Sequence, residues 1–122
     1  GRPRRCGWLD LVAVRYAARL CGVTELVLTG LGVLSGVDEL KVCVGYQRAG
    51  VALSSFPADG AALAEVEPVY ETLPGYRQPL DNCRSFADLP AETRAYIELI
   101  EAHAGKVGLI CVGRRRDQVI AR

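Results

Sequence analysis

The chain contains no methionine, one tryptophan, one histidine and two phenylalanines in 122 residues. It also lacks a charge imbalance: 15 Lys+Arg against 14 Asp+Glu leave a net charge of +1. Dedicated nucleic-acid binders carry a clear basic excess, so no nucleic-acid partner is expected. No apolar run approaches the ~20 residues needed to span a bilayer. The opening Gly1-Arg2-Pro3-Arg4-Arg5 is followed by no apolar h-region, so neither a membrane partner nor a signal peptide is expected. With His103 as the one imidazole, no His-based metal cluster can be built within the chain. Its place near the end of a helical stretch suits a cation beside the C-terminal dipole. The five cysteines, Cys6, Cys21, Cys43, Cys83 and Cys111, have no pair at the spacing of a zinc knuckle. Cys21, Cys43 and Cys111 sit in apolar runs, where the thiol acts as a small hydrophobe, and reduced thiols point to a cytoplasmic protein.

What is present is globular: half the residues are hydrophobic and 24% are charged. The prior is one domain, or a fragment of one, over residues 1–122, able to bury roughly two-thirds of its unfolded surface. That is short for an enzyme that holds several substrates. The first residue is not Met, and the expectation is a chain cut from a longer protein.

Helical and extended patterns intermix, which predicts an α/β class. Leu9, Val12, Ala13, Tyr16, Ala17 and Leu20 mark an amphipathic helix over 8–21, with Gly22 suited to its left-handed end. Leu26 to Thr29 reads as a short buried strand. Lys41 to Tyr46 reads as a strand that Val51 to Ser55 can pair with through a turn at Ala49-Gly50. Pro57 to Glu65 reads as a surface excursion, Val69 to Leu73 as a short strand, and Arg77 to Leu89 as polar and irregular. Pro90 fits a first helical position, Tyr96, Ile97, Ile100 and Ala104 form the stripe of a second helix, and Gly105 closes it. Val107 to Val112 reads as a buried strand, Arg114 to Asp117 as a polar turn, and Val119-Ile120 as a last strand.

Two features could touch a ligand. The first is Thr29-Gly30-Leu31-Gly32 after a strand, where backbone N–H groups can approach a phosphate or base. It lacks the third glycine of a dinucleotide fingerprint and the Gly-Lys-Ser/Thr of a phosphate loop, so a plain turn is the competing reading. The second is arginine: Arg2, Arg4 and Arg5 beside Pro3, and Arg114 to Arg116 at a strand end. Guanidinium forks grip carboxylates and phosphates at two points. A solvated terminus and a solvated turn are the alternatives.

At this point the residues resemble a family. Gly1-Arg2-Pro3-Arg4-Arg5-Cys6-Gly7-Trp8-Leu9-Asp10 is similar to the stretch that opens the C-terminal third of adenylosuccinate synthetases. Leu28-Thr29, Val33-Leu34, Gly36 and Glu39 to Val44 follow, as do Pro68-Val69-Tyr70-Glu71-Thr72-Leu73-Pro74-Gly75, Leu89-Pro90, Tyr96-Ile97, Ile100-Glu101 and Val112-Gly113. The resemblance covers essentially the whole chain. It implies part of a mostly parallel sheet with packed helices and a small antiparallel hairpin. It also implies a ligase of AMP biosynthesis that joins IMP and aspartate at the expense of GTP, with Mg2+, as a cytoplasmic homodimer. The reaction phosphorylates the IMP 6-oxygen and then displaces it with the aspartate amine. Gly1, Arg2, Pro3 and Arg4 fall on the loop that binds aspartate and IMP, with Arg4 also near the GTP phosphates. Gly30, Leu31, Gly32, Cys111, Val112 and Gly113 fall on the GTP-binding segments.

The resemblance further implies that the phosphate loop, the catalytic Asp and His, and the magnesium ligands belong to the remainder of the synthetase chain. No catalytic or metal-binding residue is expected here, and the isolated chain is expected to be inactive. Two departures stand out. The family's guanine-recognition run, Thr-Lys-x-Asp, is Thr29-Gly30-Leu31-Gly32 here, and a further family Asp is Ser35. The closing Ser-x-Gly-Pro is Cys111-Val112-Gly113-Arg114. Loss of a hydrogen-bonding carboxylate predicts weaker selection for guanine. The alternative is therefore a non-catalytic or regulatory relative that has lost guanine recognition.

Overall fold

The computed structural model describes all of residues 1–122. Seven strands and three helices follow in the order β1 (Leu9–Asp10), α1 (Leu11–Cys21), β2 (Leu26–Leu28), β3 (Glu39–Arg48), β4 (Val51–Ala52), α2 (Gly60–Ala64), β5 (Glu67–Pro74), α3 (Ala91–Ala104), β6 (Val107–Cys111) and β7 (Val119–Ala121). Single 3-10 turns lie at Leu31–Leu34 and Phe86–Asp88. The α/β class is as expected.

Two sheets form. In the first, β3 pairs parallel with β1 (Leu9↔Val42), and antiparallel with β4 through the turn at Ala49-Gly50. The long ladder between β3 and β5, from Glu39↔Pro74 to Gln47↔Glu67 with an irregularity between Cys43 and Gly45, lies outside the sequence expectation. In the second sheet β2 runs parallel to β6, and β7 returns antiparallel along β6.

The first helix starts three residues later than its periodicity predicts. Asp10 is its N-cap: the carboxylate accepts from the Val12 and Ala13 amides at 3.0 Å each. These are two of the amides that a helix start leaves without partners. The other oxygen of Asp10 accepts from the Tyr46 hydroxyl on β3. Leu11 and Val12, rather than Leu9 and Leu20, are its buried residues. Gly22 ends the helix at φ 64°.

Pro90 is the N-cap of α3 rather than its first helical residue; Tyr96, Ile97 and Ile100 are buried as the stripe predicts, Ala104 is only partly buried, and Thr93, outside the stripe, is buried as well. Tyr96, Ile97 and Ile100 pack with Leu11, Leu40, Val42, Val107 and Ile110 in one core between helices and sheets. A second cluster joins Val12, Cys43 and Tyr46.

Several sequence expectations are corrected. Val27 on β2 is 55% exposed, so that strand has one open face. Leu109 on β6 is also exposed. Cys21 is exposed, whereas Cys83 is buried; all five thiols are free. Residues 77–89 are not merely polar, since Leu80, Cys83 and Leu89 anchor them in the core.

Candidate functional site

Ligands of α/β sheets settle outside the carboxyl ends of parallel strands. Here β2 and β6 are parallel neighbours, and their carboxyl ends lead into Gly30 and Gly113. A cavity of about 780 Å³ opens there. Gly30, Gly32 and Ser35 border it on one side, and Cys111, Val112 and Gly113 on another. The two glycine-bearing segments, about 80 positions apart in the chain, therefore meet at one site.

The loop after β2 is fixed rather than slack. Leu31 is buried in the core and does not border the cavity, unlike its glycine neighbours. Its carbonyl accepts from the buried Tyr76 hydroxyl, whose pKa burial pushes up to about 12. Gly36 donates to the Tyr76 carbonyl at 2.8 Å, and the Ser35 hydroxyl to the Arg77 carbonyl at 3.3 Å. Gly75 donates to Asp38 at 2.9 Å. A Cβ on Gly75 would collide with the Val37 carbonyl, so only glycine permits this approach. Residues 75–77 thus act as a strap along residues 31–38.

The turn after β6 has its own brace. Gln118, 9% exposed, accepts from the Arg115 amide at 3.0 Å and donates to the Asp81 carbonyl at 3.3 Å. Its amide occupies the space that a Cβ on Gly113 would need. Arg84 also donates to the Asp81 carbonyl, at 2.7 Å. Arg115 pairs with Asp117. That hydrogen bond holds the Asp117 carboxyl at about 2, well below the usual range. Arg114 borders the cavity and takes part in none of the six ion pairs.

The third wall was not legible in the sequence. Pro79, Leu80, Asp81 and Asn82 border the cavity, and Asp81 is the one carboxylate there. The only sequence signal was the scatter of apolar residues through an otherwise polar stretch. The arginine-rich opening is separate: Gly1, Arg2, Pro3 and Arg4 are exposed and border no part of this cavity. No three His, Cys, Asp or Glu side chains converge anywhere to hold a metal ion. No helix is long and apolar enough to cross a membrane.

Fold and site together define a mixed α/β segment with a cavity at the carboxyl ends of two parallel strands. A family model described as adenylosuccinate synthetase matches residues 1–120, and the chain belongs to that family. It is 51% identical over 121 residues to adenylosuccinate synthetase of Moorella thermoacetica, covering 98% of this chain and 28% of that protein. Against adenylosuccinate synthetase of Desulfovibrio desulfuricans it is 48% identical over 123 residues, covering 100% of this chain and 29% of that protein. The structure of fully ligated adenylosuccinate synthetase from Plasmodium falciparum superposes with a TM-score of 0.93 at 34% identity, covering 99% of this chain and 30% of that one. The chain thus spans less than a third of the length of the relatives it matches.

Proposed function

We propose that these residues form the C-terminal substrate- and nucleotide-binding part of a ligase that joins IMP and aspartate to give adenylosuccinate at the expense of GTP. The family match over residues 1–120 carries this reading. The cavity at the ends of β2 and β6 supports it, because it gathers Gly30, Gly32, Cys111, Val112 and Gly113 at one place. In this reading the cavity takes the base of GTP, and Leu31 holds its floor from the core.

Gly1, Arg2, Pro3 and Arg4 receive the aspartate and IMP, with Arg4 turned toward the GTP phosphates. Planar guanidinium groups suit both carboxylates and phosphates, since each can be held by two parallel N–H bonds. Such a reaction rests on positioning and charge neutralisation. The groups that break and form bonds, and the magnesium ligands, are assigned to the remainder of the synthetase chain. The whole works in the cytoplasm as a homodimer; five free thiols are in keeping with a reducing compartment.

The test is phosphate release by the full-length protein, expected only when IMP, aspartate and GTP are all present. Arg2→Ala should raise the KM for aspartate at least tenfold, about the effect of losing a charge-assisted bond. The 122-residue chain alone should give no turnover, and any turnover by it overturns the assignment of the chemistry to the remainder. A second reading, a non-catalytic relative, is favoured by Gly30 and Gly32 standing where the resemblance places Lys and Asp. Nucleotide binding by the full-length protein without turnover would select it.

A further inference from the structure

The loop after β2 brings no carboxylate to the cavity, since Gly30, Gly32, Val33 and Ser35 are its members there. A purine with an N1–H and a 2-amino group offers two adjacent donors, and burying them unpaired is costly. The cavity nevertheless contains an acceptor from elsewhere in the chain. Asp81 borders it from the segment after β5, beside Asn82.

The position of Asp81 is built. Its backbone carbonyl accepts from Arg84 at 2.7 Å and from Gln118 at 3.3 Å. The same Gln118 accepts from the Arg115 amide within the turn after β6. None of the six ion pairs involves the Asp81 carboxylate, and its one charged influence is through space on Arg115, which also borders the cavity, so its oxygens are open to a ligand. Asp117, in the turn after β6, is spent on Arg115 and Arg84. On the donor side, Arg114 also borders the cavity outside those ion pairs. A guanidinium is donor-only and complements the O6 and N7 acceptors of a 6-oxopurine.

We infer that Asp81 is the specificity-determining carboxylate of this cavity, accepting from the N1–H and 2-amino group of a guanine-type base while Arg114 donates to its acceptor edge. This rests on the reading that the cavity holds a purine nucleotide. Specificity then comes from a wall different from the glycine loop. A site that hydrogen-bonds a polar group strongly rejects an analogue without it. Inosine triphosphate lacks the 2-amino group, and adenosine triphosphate has neither the N1–H nor the O6.

The experiment measures binding of GTP, ITP and ATP to the full-length protein by calorimetry, before and after substitution at position 81. The unmodified protein should prefer GTP to ITP by about tenfold or more, and ATP should bind most weakly. Asp81→Asn should bring the GTP/ITP ratio to within about twofold of unity, and Asp81→Glu should keep GTP ahead. The Asp81 carboxylate makes none of the six ion pairs and acts on exposed Arg115 only through space, so Asp81→Asn should keep its melting temperature within about 2 °C. Equal binding of GTP and ITP by the unmodified protein overturns the inference without any variant. Preference for GTP that survives Asp81→Asn also overturns it, yet leaves the cavity a purine site. Binding of none of the three removes the underlying reading itself.

Discussion

Gln118 does more for the site than any residue that a motif points to. One amide group ties the Arg115 backbone to the Asp81 backbone and fills the space above Gly113. Gln118→Ala should therefore destabilise the protein by about 1–3 kcal/mol in urea titration, the range for losing two part-buried hydrogen bonds and the packing of a buried side chain. Gly113→Ala should do comparable harm by displacing that amide, and the two changes should not add, because they break the same brace.

Asp117 gives a pH signature. Its carboxyl lies at about 2 in the folded chain, first because Arg115 donates to it. A depressed folded value means that the stabilising contribution is present above the unfolded value and is lost as pH falls through the folded one. Melting temperature should fall between roughly pH 4 and 2. Asp117→Asn should flatten that limb; an unchanged acid limb in the variant would contradict this account.

At the level of elements, the start of α1 is the most testable joint. Asp10 caps the helix with one oxygen and accepts from Tyr46 with the other, which binds α1 to β3. Burial first, and the bond to Asp10 second, push the Tyr46 hydroxyl far above its ordinary pKa, so it stays a donor. Asp10→Ala should cost about 1–2 kcal/mol and Tyr46→Phe about 1 kcal/mol. A double-mutant cycle should recover a coupling between them, because the pair shares one carboxylate.

The helices were largely legible in the sequence. The apolar stripe of α3 and the glycines ending both long helices follow from local spacing alone. The ladder between β3 and β5 was not. In β5 only Leu73 is even half-buried, so the strand lacks the alternation that marks a face. Its pairing comes from backbone hydrogen bonds, which leave no trace in side-chain type. Asp10 was misplaced for a related reason: periodicity locates a helix face, whereas a cap is set by one side chain at its boundary.

For the whole molecule, the two halves of the candidate site differed in how far they could be read. Gly30 and Gly32 stood out as glycines after a strand and Gly113 only through the family resemblance, and the structure brings the three together. Asp81 and Gln118 carried no motif, since their role depends on a fold that sets residues 81 and 118 against each other. The arginines at the chain's opening were conspicuous in sequence but border a different region. The exposed faces of Val27 and Leu109, paired across β2 and β6, show that apolar surface remains uncovered on this part of the fold.

The strap at residues 75–77 has a consequence for motion. Gly36, Leu31 and Ser35 are all fastened to Tyr76 or Arg77, and Gly75 is fastened back to Asp38. Since β5 ends at Pro74, the loop beside the cavity is yoked to an edge of the other sheet. Amides linked in this way open together as one cooperative unit. The Gly36 and Gly75 amides should therefore exchange with solvent deuterium at opening free energies within about 1 kcal/mol of each other, and Tyr76→Phe should speed both. A ligand that quiets the loop would then slow exchange at the end of β5 as well, and the two sheets would report the same event.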